Sequence, residues 1–326
     1  MSSTVPVVDL VLRGARVSTF ADPHEGPSEV SALVIAGGKV VVTGSDDDVA
    51  PYVPLAARVV DLEGRRVLPG LNDSHIHALR GGVSWTRTVH WEDVRSIEEG
   101  LALVREDAAR RGPEEWVAVV GGWHSSQLRE RRAPTRAELD EAGGGRPVVV
   151  QELYDRAVLS SAGLAACGWD DESPDPARGE LVRDETGRLT GEVRGVGAFA
   201  VPLAQALGTS QPESREGIVA MNAVLARHGL TGVVDGGGLL VTPRDYDPLY
   251  AVWREGRLDV RYRTFVSAWD RGGEVGNVDQ LTALVQPGSG DGLLKIVGVG
   301  EIPHLGCHDM EGLDPFEVPE QAFAEL

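Results

Sequence analysis

Short apolar runs separated by turn-forming residues dominate the first 65 positions of the chain. Residues 8–13, 32–35, 40–43 and 58–62 read as strands, with Gly37-Gly38 and Asp46-Asp47-Asp48 as turns between them. This predicts a small all-β unit over residues 1–65, part of a sandwich flanking a larger domain over 66–326. Over 96–112 the period changes: Ile97, Leu101, Val104 and Ala108 recur at helical spacing, opposite a charged face of Glu98, Arg105 and Glu106. Residues 116–120 and 146–150 are further strand candidates, and the Gly-, Pro- and acid-rich stretch 168–195 holds a hairpin turn at Asp184-Glu185-Thr186-Gly187. From 213 onwards helices (213–228, 246–255) alternate with strands (231–234, 260–267, 293–299), which implies parallel βαβ units with right-handed crossovers.

Within this pattern the segment Arg66-Val67-Leu68-Pro69-Gly70-Leu71-Asn72-Asp73-Ser74-His75-Ile76-His77 carries the most chemistry. Side chains two apart on a strand point to one face, so His75 and His77 at a strand end aim together while Ile76 turns into the packing behind. Two imidazoles so placed hold one metal ion; a turn with two surface histidines is the competing reading. Asp73, two residues earlier, is placed to accept an imidazole N–H and so fix which ring nitrogen faces the ion. A strand over 67–71 and the three later ones make four barrel-type strands, with the candidate ligands at C-terminal ends, where (β/α)8 barrels carry their chemistry. The predicted fold class is therefore α/β: the first half (strands 1–4) of a (β/α)8 TIM barrel, with an N-terminal β-sandwich portion.

Composition narrows the function. A formal net charge of −19 disfavours nucleic acid and anionic membranes as partners, and no apolar run is long enough to span a bilayer. No export signal is visible, and Cys167 and Cys307 form no disulfide framework, so a reducing cytoplasm is expected. Of 31 basic residues only Lys39 and Lys295 are lysine, which marks them as places where a deprotonatable amine is wanted rather than a guanidinium.

The segment 67–77 resembles the first-strand signature of the amidohydrolase superfamily, in the branch that includes N-substituted formamide deformylase. Gly229-Leu230-Thr231-Gly232-Val233-Val234-Asp235 is similar to that branch's second strand and Leu293-Leu294-Lys295-Ile296-Val297 to its fourth. Pro134 to Asp140, Arg146 to Val150 and Gly187 to Glu192 are similar to the insertion after its first strand, so the resemblance implies a large insertion at about 90–210 after strand 1. The resemblance implies a metal-dependent, zinc-type hydrolase with one or two divalent ions, acting on the C–N bond of an amide or an N-formyl or N-acyl amine. It implies that His75 and His77 bind the more buried ion and that Lys295, carboxylated by CO₂, bridges two ions. Two departures stand out: the branch's Asp-Gly-Ser segment after the lysine is replaced by Val299-Gly300-Glu301-Ile302-Pro303-His304. Its further metal histidines, its general-base aspartate and the closing half of the sandwich are expected beyond Leu326.

Other residues have two readings each. Glu301, His304, Cys307, His308 and Asp309 cluster after the fourth strand, as ligands for substrate or a second metal or as a polar loop. Trp123 and His124 line a pocket or form an ordinary edge pair, and Asp235 is a turn residue or an orienting partner. His24, His90 and His228 read as structural. The expected partner is a small-molecule substrate, and an open edge after the fourth strand favours homo-oligomers. Two other classes compete: a non-catalytic or truncated fragment of the same fold, distinguished by lack of stoichiometric metal, and a metallophosphoesterase, against which the acidic charge and the lack of a phosphate-cradling loop count.

Overall fold

A computed structural model describes residues 8–303 apart from 22, 23, 25, 26, 239, 240 and 271. The chain divides into two compact units, Met1–Asn72 and Asp73–Leu326. In the first, a four-stranded sheet has the order Lys39–Gly44, Ala32–Ala36, Val8–Arg13, Ala56–Asp61, and a three-stranded sheet the order Glu29–Val30, Arg16–Ser18, Arg66–Val67. Strand alternation gives the larger sheet two apolar faces. Val11 and Val34, paired across the ladder, are buried with Val8, Ala32 and Val49, while Leu12, Leu33 and Ile35 face Val17, Val30 and Val67 of the smaller sheet. Gly37 and Gly38 make the expected tight turn, both at positive φ (58° and 70°), the backbone a two-residue hairpin requires.

Two expectations change here. Asp46-Asp47-Asp48 is not a turn but the first turn of the helix Asp46–Val49: the Ser45 hydroxyl accepts the Asp48 N–H, the Asp48 carboxylate accepts the Ser45 N–H at 2.8 Å, and the acids complement the helix dipole. Nor do residues 67–71 form one strand. Arg66–Val67 pairs with Arg16–Ser18 in the first unit, Pro69 and Gly70 interrupt the ladder, and a new strand runs Leu71–Ile76. The division between units accordingly falls at Asn72/Asp73 rather than after residue 65.

The second unit holds two sheets. One is six-stranded, in the order Glu180–Arg183, Leu189–Arg194, Arg156–Leu159, Val148–Glu152, Val117–Val120, Thr88–Val89, and fills the region expected to be inserted. Its central strand Val148–Glu152 is buried along its whole length because both faces are covered. Val148 and Val150 pack with Trp91, Trp123 and the helix Ile97–Ala108, and Val149 packs with Leu181, Val193 and Phe199. That helix buries Ile97, Leu101, Val104 and Ala108, the positions its period marked. The Asp184 carboxylate accepts the N–H groups of Thr186 and Arg188 and closes the predicted hairpin. The short helix Arg136–Gly143, which the periodicity does not signal, starts at Thr135 with a capping box from Glu138. Arg132 and the Thr135 hydrogen bonds hold the Glu138 carboxyl at about 2.

The other sheet has the order Leu294–Val299, Arg261–Val266, Leu230–Asp235, Leu71–Ile76, with the first two pairings parallel. The helices Gln211–Arg227, Asp247–Arg254 and Glu274–Leu284 precede its later strands, which is the predicted alternation. Among the described residues no helix is long and apolar enough to cross a membrane.

After Leu71–Ile76 the chain enters the helix Ala78–Ser84, leaves for the six-stranded sheet and returns through Gln211–Arg227. These two helices meet through glycines: a Cβ on Gly217 would lie 2.3 Å from the Gly82 carbonyl oxygen. Gly217→Ala should therefore destabilise the protein, since overpacking against backbone costs about 1–3 kcal/mol and outweighs the gain in helix propensity of about 1 kcal/mol. Denaturant unfolding checks this, and an unchanged or raised midpoint would mean that the helices are not in contact at Gly217.

Candidate metal centre

His75 is the penultimate residue of Leu71–Ile76, and His77 follows it with φ −95° and ψ 64°, the turn into the helix Ala78–Ser84. Ile76 between them packs against the apolar core beneath the sheet. The third group arrives from the far edge strand. Beyond Leu294–Val299 the Gly300 N–H donates to the Val266 carbonyl at 3.0 Å and the Glu301 N–H to the Gly236 carbonyl at 3.0 Å. These bonds draw Glu301 across the sheet ends until its Oε2 lies 3.5 Å from His75 Nε2 and 3.3 Å from His77 Nε2.

These separations suit a shared ion. Charge-assisted N–H···O bonds are about 2.7–2.9 Å long, whereas a tetrahedral ion with ligands at about 2.1 Å holds its ligand atoms about 3.4 Å apart. The three ligand atoms lie within 4.8 Å of one another. Two imidazole nitrogens and a carboxylate oxygen are a common donor set for zinc and similar divalent ions. The group also has room: a Cβ on Gly236 would stand 3.2 Å from Glu301 Oε2 and 3.4 Å from His75 Nε2, so glycine keeps the space between them clear.

The same glycine loop fixes one ring. His77 Nδ1 is 3.1 Å from the Gly237 carbonyl oxygen, which only accepts, so Nδ1 donates there and Nε2 is the nitrogen turned toward Glu301. Asp235, at the end of its strand and fully buried, accepts the Leu79 N–H at 2.7 Å and the Gly237 N–H at 3.0 Å. Burial pushes its carboxyl above the usual carboxylate range, and these two N–H bonds oppose the shift. The Gly238 N–H donates to the Ser267 hydroxyl oxygen at 3.0 Å.

The sequence pattern of the Amidohydrolase family matches residues 58–308, most of the chain. The chain belongs to the amidohydrolase family. Among curated relatives, N-substituted formamide deformylase of Arthrobacter pascens is 29% identical over 185 residues, 56% of this chain and 33% of that protein. Imidazolonepropionase of Anaeromyxobacter dehalogenans is 40% identical over 169 residues, 49% of this chain and 35% of that protein. An uncharacterized metal-dependent hydrolase of Pyrococcus horikoshii OT3 has the same fold, with TM-score 0.58 and 22% identity over 89% of this chain and 53% of its own. The matches thus span about a third of the curated relatives and about half of the solved hydrolase.

In this amidohydrolase chain the residues singled out by sequence separate into groups. His75, His77 and Glu301 come together, with Glu301, in the loop after the last strand, among the ligand-capable groups. Lys295, the second residue of Leu294–Val299, pairs with Arg263 and through it lines up with Val234, one residue before Asp235 at the end of the neighbouring strand. Asp73 accepts the backbone N–H of His75 at 3.0 Å, so it shapes the strand and not the ring. Trp123 is a core residue, 2% exposed, donating its Nε1–H to the Gln151 carbonyl and meeting Trp91 edge-on. His124 caps the turn Ser125–Gln127, with its Nε2 3.5 Å from buried Glu152. Burial would raise the Glu152 carboxyl, but hydrogen bonds from Ser125 and Arg156 hold it below its ordinary value. His90 is bound to Glu92 and the Trp85 carbonyl, and His228 to the Val224 carbonyl, as structural residues. His304, Cys307, His308 and Asp309 lie outside the described residues.

Sequence reading missed Ser267 and the job of Gly236 to Gly238. The available signal was an acid followed by three glycines at a predicted strand end. Glu301→Ala should weaken zinc binding by ~100-fold or more, because removing a ligand costs more than the 10–100-fold lost with a ligand's supporting partner. Calorimetric zinc titration checks this, and a Glu301→Ala variant with parent-like affinity would overturn its role as a ligand; Lys295→Ala, titrated alongside, tests the bridging role that the resemblance implies.

Proposed function

We propose that this chain carries the metal-binding half of a hydrolase active site that cleaves the C–N bond of a small amide or an N-formyl or N-acyl amine. The observation that supports this most is Glu301 Oε2 standing 3.3 and 3.5 Å from two imidazole Nε2 atoms, spacings that suit one shared ion. Family membership favours C–N chemistry over phosphoester cleavage, and the Arthrobacter relative is by its name a formamide deformylase. In this reading the four-stranded sheet is the first half of a (β/α)8 barrel and the ion is zinc.

When bound, such an ion polarises the scissile carbonyl and lowers the pKa of its water toward about 7. His75, His77 and Glu301 would hold it; the Gly237 carbonyl accepts from His77 Nδ1; Gly236 leaves the approach open. The leaving amine needs a proton. Asp235 is not placed to deliver it, since both its oxygens accept backbone N–H groups in a buried position. The aspartate that the family resemblance assigns to this step is not among the described residues.

The full protein should carry zinc near stoichiometry by elemental analysis and release amine from at least one member of a panel of N-formyl and N-acyl amines. His75→Ala with His77→Ala should abolish both, with folding checked by circular dichroism. Turnover by a metal-free double variant would overturn the hydrolase mechanism, and a parent that binds no zinc would favour the non-catalytic reading.

A further inference from the structure

The two peptide groups of the glycine loop each have one end on a ligand and the other on a buried side chain. The first joins Gly236 to Gly237: its C=O accepts the Glu301 N–H and its N–H donates to Asp235 Oδ1. The second joins Gly237 to Gly238: its C=O faces His77 Nδ1 at 3.1 Å and its N–H donates to Ser267 Oγ at 3.0 Å. Because a peptide unit is planar, fixing its N–H fixes the direction of its carbonyl. Glycine gives this loop no rotational restraint of its own, with φ of 89° at Gly237 and 138° at Gly238. The restraint on the second peptide comes from outside the loop.

Resting on the metal-centre reading above, we propose that Ser267 is a positioning residue for the ion, acting through the Gly237–Gly238 peptide to select the Nδ1–H form of His77. Ser267 is 1% exposed and directly follows the strand Arg261–Val266. Its hydroxyl stands so close under the loop that a Cβ on Gly237 would be 2.6 Å from Oγ. An N–H held at both distance and direction keeps the carbonyl aimed at the ring, and the two hydrogen bonds of one peptide polarise each other. Without the hydroxyl the peptide is free to rotate, the carbonyl leaves Nδ1, and the proton redistributes to Nε2, the atom that must be bare to bind.

The test begins with metal-free parent protein at a pH above the ordinary imidazole value of about 6.5. Nitrogen-15 chemical shifts of His77 should report the Nδ1–H form as dominant, and the Gly238 amide should be protected from exchange. A dominant Nε2–H form would overturn the proposal without any variant. In Ser267→Ala the His77 shifts should move to a mixture of both forms, with cobalt and zinc affinity down about 10–100-fold at unchanged circular dichroism. Ser267→Ala with parent-like His77 shifts and lowered affinity would assign Ser267 a packing role only, and the proposal would fall. A parent with the expected tautomer that binds neither metal would overturn the metal reading while leaving the Ser267 coupling in place.

Discussion

The carbonyl oxygens of Gly236 and Gly237 point at the Glu301 backbone N–H and the His77 imidazole, and nearly everything else about the candidate centre follows from their directions. Two imidazoles from one strand end and a carboxylate from the far edge strand have no covalent reason to meet. The loop between them satisfies one hydrogen-bonding group of each. Asp235 and Ser267 then hold the loop from below, so that four sheet ends are tied at one place. A buried carboxylate is an expensive anchor, tolerated here because two backbone N–H groups fill its acceptor sites and the Arg80 cation favours its charge. Since Leu79 supplies one of these, Asp235 also pins the helix that begins right after His77.

The helix pair Ala78–Ser84 and Gln211–Arg227 isolates this arrangement from the six-stranded sheet. The chain leaves for that sheet and returns across a glycine-lined contact, with Gly82 beside Ile218 and Gly217 beside the Gly82 carbonyl. The inserted sheet has its own cores on both faces, so its size has little leverage on the ligands. Trp123 and His124, which look like pocket residues on a strand end, serve those local needs instead.

Much of the fold was legible where period alone decides it. The helix over Ile97–Ala108, the four-stranded sheet of the first unit and the βαβ alternation after residue 211 emerge from apolar spacing, whereas the short strands of the three-stranded sheet hold too few residues to show a period. The His-x-His pair was legible for the same reason, with the strand displaced by Pro69 and Gly70. For Lys295, rarity and strand membership carry no register: its pairing through Arg263 to Val234 is what sets it one residue before the level of Asp235. Glu301 had the right chemistry but was hidden in a loop, and loops acquire their direction from hydrogen bonds that local patterning does not encode. Ser267 was invisible, since a lone serine after a strand has no periodic signature.

The centre gathers its members from the two ends of the second unit, with His75 and His77 near its start and Glu301 near the end of its described part. Contacts this distant in sequence form late, after the intervening segments have closed. During synthesis the imidazole pair therefore emerges with the carboxylate still many residues away, able to offer a passing cation only two loose donors. The third donor and the fixed tautomer come only when the last strand docks. Discrimination among ions is in this way deferred from the nascent chain, where any soft cation finds the histidines, to the finished sheet, where geometry decides which one stays.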